Sequence, residues 1–180
     1  GTLKATVLGG PILEAPPTDE DGGFVFHINM ASEFPKNGHF RIATPDFKPP
    51  PDVDVFRAGL IRAIMAMSLG QTVYVGCMGG TGRTGTFLAG LAKVMFEYRR
   101  IQKRKAQDPI KYVRQHYRPR ALETPAQEKF ITDLDVSSVV KWWYITQRAL
   151  KAQDFLDTHP VIPGDSTPAV MMWGAQGVDV

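Results

Sequence analysis

Cysteine is nearly absent from this chain: Cys77 stands alone among 180 residues. An internal disulfide is therefore impossible, and so is a zinc site built from several thiolates. Histidine is scarce too, and His27, His39, His116 and His159 show no ligand spacing, so neither a metal nor another cofactor is expected. No apolar run is long enough to span a bilayer. The opening GTLKATVLGG lacks the charged-then-apolar pattern of an export signal, and the expectation is a cytoplasmic protein. A glycine motif, GTGRTG at 80–85, matches the G-x-G-x-x-G of dinucleotide folds but lacks their context. About 70 residues precede it, and Arg100 stands where a carboxylate should end a second strand. Thr86 follows the motif without the lysine that a nucleotide-triphosphate loop needs.

What is present reads as α/β, a central and mostly parallel sheet flanked by helices. Residues 3–8, 24–30, 39–43 and 72–75 are rich in β-branched and aromatic residues between Gly, Pro and Asp clusters, and read as strands. A proline-stiffened loop, TPDFKPPPD, fills 44–52. Asp52 then caps a helix with Val53, Phe56, Leu60, Ile64 and Met67 at helical spacing, closed by Gly70. Further helices are expected from about Thr84 to Arg100, over Pro109 to Tyr117, after Thr124-Pro125, and from Ser137 to Asp157. The expected organisation is one domain over 1–157, including that last helix, and a Pro- and Gly-rich tail over 158–180.

Charge is unevenly spread. Residues 99–120 carry nine Lys and Arg against a single Asp. Such a segment is either a solvated helix end or a steering surface for anions; nucleic acid is an open but unfavoured partner. The Trp142-Trp143-Tyr144 run on the 137–157 helix is either core or a partner surface.

The chemistry concentrates in TVYVGCMGGTGRTGTFLAGLAKV, 72–94. A strand delivers Cys77, a curled loop follows, and a helix begins beyond it. Met78, Gly79, Gly80, Thr81 and Gly82 can turn successive backbone N–H groups inward as an anion cradle, which the glycines permit. The helix aims its positive end at the same point. Arg83 offers a planar two-pronged donor to phosphate oxygens, and the whole cradle favours a thiolate at Cys77.

This C-x5-R-T loop resembles the signature of the cysteine-dependent protein tyrosine phosphatase superfamily, especially its compact dual-specificity branch. The resemblance covers about residues 24–132 and implies a phosphatase-like fold there, to which the helix expected from Ser137 is an extra C-terminal element. It also implies that Cys77 attacks phosphorus, that Arg83 binds the phosphoryl oxygens and that the Thr84 hydroxyl eases departure of the thiolate. Asp46, in a Pro-Asp setting 31 residues before Cys77, matches the family's general acid. Gln127, in ALETPAQEKF, matches a glutamine that orients water for the second step. One departure is Gly76, where most members carry a histidine; slower or alkaline-shifted activity is implied. The implied substrate is a phosphorylated protein, phosphotyrosine first, or a small anionic phosphate ester. Two alternatives stay open: a phosphatase of a polyanion such as an inositol phosphate, nucleotide or RNA end, and a weakly active or inactive phosphate-reading module.

Overall fold

A computed structural model describes residues 6–101 and 105–158. Four strands, β1 (Val7–Pro11), β2 (Val25–Ala31), β3 (Phe40–Thr44) and β4 (Thr72–Cys77), form one sheet in the order β1-β4-β2-β3. All three pairings are parallel, so every strand ends at the same edge. β4 is buried along its whole length, as a central strand covered on both faces must be. The helices are α1 (Val53–Ser68), α2 (Gly82–Ile101), α3 (Pro109–His116), α4 (Pro125–Asp133) and α5 (Ser137–Thr158). The expected α/β architecture is the one observed.

Local chemistry accounts for most boundaries. The Asp52 carboxylate accepts from the N–H groups of Asp54 and Val55 at 2.9 and 3.0 Å, which caps α1. Gly70, with φ of +75°, takes the left-handed conformation that ends the helix. Thr124 and Gln127 close a reciprocal capping box at the start of α4, with Pro125 in its first turn. Between α1, α2 and α4, Phe56 meets Phe87 and Phe130 edge-on, at 5.5 and 5.1 Å between ring centroids. Such contacts add about 0.5–1.5 kcal/mol each beyond the area they bury.

Two expected boundaries move. The first strand, expected over 3–8, runs from Val7 to Pro11, and residues 1–5 lie outside the described part. Pairing with β4 carries Gly9 and Gly10 into the sheet opposite Val75 and Gly76, although two glycines read locally as a turn. The helix after the loop begins at Gly82, not Thr84, so Arg83 belongs to its first turn.

The chain divides into two compact units, Gly1–Tyr144 and Ile145–Val180. In the first, Val139 and Val140 are buried, while Trp142 and Trp143 are half-buried against the hydrophobic core. Trp143 stacks on Tyr98 with centroids 4.3 Å apart. Of the two readings of the aromatic run, core or partner surface, the two tryptophans follow the first and pack on their own unit. Of the second unit, the continuation of α5 to Thr158 is described; the tail expected over 158–180 lies from residue 159 onward outside the described residues. Among the described residues, no helix is long and apolar enough to cross a membrane.

Candidate active site at the C-terminal edge of the sheet

Because the strands are parallel, the segments that follow them converge at one edge, where open α/β sheets hold their ligands. Cys77 ends β4 and is 3% exposed. The loop 78–81 then turns into α2. Gly80 has φ of +66°, and a Cβ there would fall 2.7 Å from Gly10 Cα and from Pro11 N, so only glycine fits.

Arg83, 2% exposed, sends its guanidinium back across the edge. Nη1 donates to Glu33 Oε2 and Oε1 at 2.7 and 3.0 Å and to the Thr44 carbonyl at 2.9 Å. Nη2 lies 3.1 Å from Asp46 Oδ1. One planar group thus joins the ends of β2 and β3 to the start of α2. Burial opposes the charge on Arg83, but the Glu33 hydrogen bond and the charges of Cys77, Glu33 and Asp46 outweigh it and push its pKa upward. The same hydrogen bond holds the Glu33 carboxyl below its ordinary range against the smaller effect of burial.

Glu33 carries no motif, and the sequence reading missed it. Its loop is built by buried Asn29, whose amide donates to the carbonyls of Phe34 (2.6 Å) and Asn37 (2.8 Å) and whose oxygen accepts from Ala31 N (2.8 Å). A register shift in β2 between Asn29 and Ala31 accompanies this turn. An acidic residue just after a buried asparagine in a strand was the available signal, and it is a weak one.

Asp46 is half-exposed and caps its own turn, accepting from Phe47 N at 3.1 Å. Phe47 has φ of +56°, a strained conformation for a bulky residue. Two bonds tie this loop to α4: Thr124 Oγ1 donates to Phe47 O at 3.2 Å, and Gln127 Nε2 donates to Lys48 O at 3.3 Å. Gln127 is fully buried, and a Cβ on Gly82 would lie 3.2 Å from both ends of its amide. Its position is therefore beside the loop, not facing solvent. Thr84 is also fully buried, and its hydroxyl forms no hydrogen bond. A buried unpaired hydroxyl costs about 1–3 kcal/mol.

Gly76 has a steric explanation. A Cβ there would lie 2.7 Å from Ile12 Cα and 2.9 Å from Ile12 Cβ, in the one-turn helix Ile12–Glu14 that follows β1. The Ile12 backbone fills the space a histidine would need. Gly76→His is expected to lower unfolding free energy by about 1–3 kcal/mol through overpacking. A denaturant titration showing a variant as stable as the parent would mean that the Ile12 turn yields freely.

Residues 29–131 match the model of a family described as PTP-SAK, a Swiss Army Knife protein DSP-PTPase phosphatase domain. The chain belongs to this family. The PTP-SAK match takes in Glu33, Asp46, Cys77, Arg83 and Gln127, and leaves β1 and α5 outside it. An uncharacterized protein of Methanocaldococcus jannaschii, MJECL20, is 41% identical over 70 residues, 37% of this chain. The match spans 40% of that relative's length. Among solved structures, PTPMT1 is similar with a TM-score of 0.51 and 20% identity, over 81% of this chain and 95% of that one, which is a likeness of fold. Tk-PTP in its active form aligns with a TM-score of 0.44 and 24% identity, over 73% of this chain and 78% of that one.

Two surface hollows, of about 480 and 510 Å3, run along Lys93, Glu97 and Arg100 of α2. Neither shares a residue with the Cys77 loop. The basic segment 99–120 is partly spent on internal bonds. Arg100 pairs with Glu97 at 3.0 Å, and Arg114 holds Glu128 at 2.5 Å and the carbonyls of Ala121 and Leu122.

Proposed function

We propose that this PTP-SAK domain hydrolyses phosphate monoesters through a cysteinyl-phosphate intermediate, with phosphotyrosine or another phosphorylated protein residue as substrate. The observation that carries the reading is the Arg83 fork: one guanidinium held by Glu33 on one side and by Asp46 on the other, in the first turn beyond Cys77. A phosphoryl group entering the loop meets the Arg83 charge and inward N–H groups of residues 78–82, including Met78 and Gly79. The Cys77 thiolate attacks phosphorus as the bond to the leaving oxygen breaks, and Asp46 gives its proton to that oxygen. Water then attacks the phosphocysteine, Asp46 takes a proton from it, and phosphate leaves as the thiolate returns. The Gln127 amide oxygen accepts from Thr124 N and its nitrogen donates to the Lys48 carbonyl, which leaves one lone pair and one N–H for that water. The unpaired Thr84 hydroxyl is suited to donate to the returning thiolate. The mechanism requires no metal.

Phosphoprotein is favoured over a polyanion because several basic residues of 99–120 already have partners within the fold. The test is hydrolysis of a small aryl phosphate across pH, with acid quenching and peptide mapping to locate phosphate on Cys77. Turnover with label on the Cys77 peptide is the expected result. Bound phosphate without turnover at any pH would replace the enzyme by a phosphate-reading module.

Asp46→Asn is expected to lower kcat by about 10²-fold, which steady-state kinetics with an aryl phosphate checks. The same change removes a carboxylate charge 3.1 Å from Arg83, so inorganic phosphate should bind more tightly to the variant. Calorimetry with phosphate checks the second point, and weaker binding would contradict a competition between Asp46 and phosphate for Arg83.

A further inference from the structure

We infer that Tyr117 and Arg118, between α3 and α4, are positioning residues of the phosphate loop: they hold its carbonyls from outside and so turn its amides inward. The inference rests on the phosphate-binding reading of the loop. Tyr117 ends α3, and its hydroxyl donates to the Gly80 carbonyl. Arg118 Nη1 donates to the Gly79 carbonyl and to Thr81 Oγ1, both at 3.0 Å. The guanidinium carbon of Arg118 lies 5.4 Å from the Tyr117 ring centroid, so the two side chains support each other.

The geometry of the peptide unit connects these bonds to the cradle. In a planar trans peptide the C=O and the following N–H point in opposite directions. Drawing the Gly79 and Gly80 carbonyls toward Tyr117 and Arg118 therefore turns the N–H groups of Gly80 and Thr81 the other way. Gly80, in the left-handed region at φ of +66°, supplies the change of hand that a nest of inward amides needs.

Two neighbouring features fit this brace. Gly9 admits the Tyr117 ring, since a Cβ there would lie 2.9 Å from Tyr117 Cε2. Gly76 offers no side chain to the loop, and the Ile12 backbone closes that position to any other. The support comes instead from the α3–α4 turn. Burial pushes the Tyr117 hydroxyl up to about 12, so it keeps its proton and remains a donor across the working pH range.

The test compares Tyr117→Phe, Arg118→Ala and Arg118→Lys with the parent, and uses Arg120→Ala as a control that removes an exposed charge two residues away. The readouts are Kd for inorganic phosphate, kcat and KM for an aryl phosphate, and Tm. Tyr117→Phe and Arg118→Ala should each weaken phosphate binding about tenfold, the value of one lost hydrogen bond to a charged or ordered group. Arg118→Lys should recover part of the loss, and Arg120→Ala should stay within about twofold. The Arg118→Ala defect should persist in high salt, where a steering effect would be screened. Should Arg118→Ala fail to fold, Tyr117→Phe and Arg118→Lys carry the comparison.

An active parent whose Tyr117 and Arg118 variants keep its Kd and KM overturns the brace and leaves the phosphatase reading intact. A defect in Arg118→Ala that vanishes with salt, beside a silent Tyr117→Phe, also overturns it. A parent that binds phosphate without turnover ends the catalytic reading, while the Kd comparison still decides the brace. A parent that neither binds nor hydrolyses overturns both.

Discussion

Replacing Cys77 with serine is expected to lower turnover of a small aryl phosphate by roughly 10⁴-fold or more, as loss of a covalent nucleophile does in other enzymes. The exchange removes one sulfur and keeps a small polar side chain at a position 3% exposed, so the fold should survive it. A serine hydroxyl stays protonated where the thiol can ionise, and no histidine lies beside it in the chain to act as base, since the preceding residue is Gly76. Phosphate binding should persist, because the loop amides and the Arg83 fork are untouched. The pairing of lost turnover with retained phosphate affinity separates a nucleophile from a core residue. A variant within tenfold of the parent would return Cys77 to the role of a buried small hydrophobe.

Arg83→Lys is expected to reduce kcat/KM by about 10²–10³-fold, the range for losing a preorganised donor at developing charge. Arginine can meet Glu33 with one nitrogen and Asp46 with the other because its donors lie in one plane. A lysine ammonium is a single point and cannot hold both carboxylates while facing a phosphoryl group. It would also leave Glu33, which accepts two bonds from Nη1, without its two-point partner. Tm should therefore fall together with kcat/KM. Steady-state kinetics and a thermal melt check both effects, and unchanged efficiency would contradict the role of Arg83.

Much of the fold was readable because its signals are local. The helical spacing after Asp52, the cap and proline at Thr124-Pro125 and the buried run at 72–75 each act over a few residues, and each produced its element. The first strand was misjudged because Gly9 and Gly10 favour a turn when taken alone. Their pairing with β4 and the tyrosine rings packed around them decide otherwise. The tryptophans of α5 illustrate the same limit: an aromatic run on a helix has no address until the surface it packs on exists.

The sequence by itself determined the family, the α/β order of elements and the contiguous constellation of Cys77, Arg83 and Thr84. All of these rest on residues close in the chain, where spacing translates directly into geometry. Only the tertiary structure decided that Glu33 holds Arg83, that Ile12 occupies the space above Gly76, and that Tyr117 and Arg118 grip the loop from outside. These contacts join segments 37 to 64 residues apart, and they depend on the parallel order β1-β4-β2-β3 bringing every strand end to one edge. A carboxylate or a guanidinium carries no mark of its partner along the chain. The packing of the sheet chooses that partner.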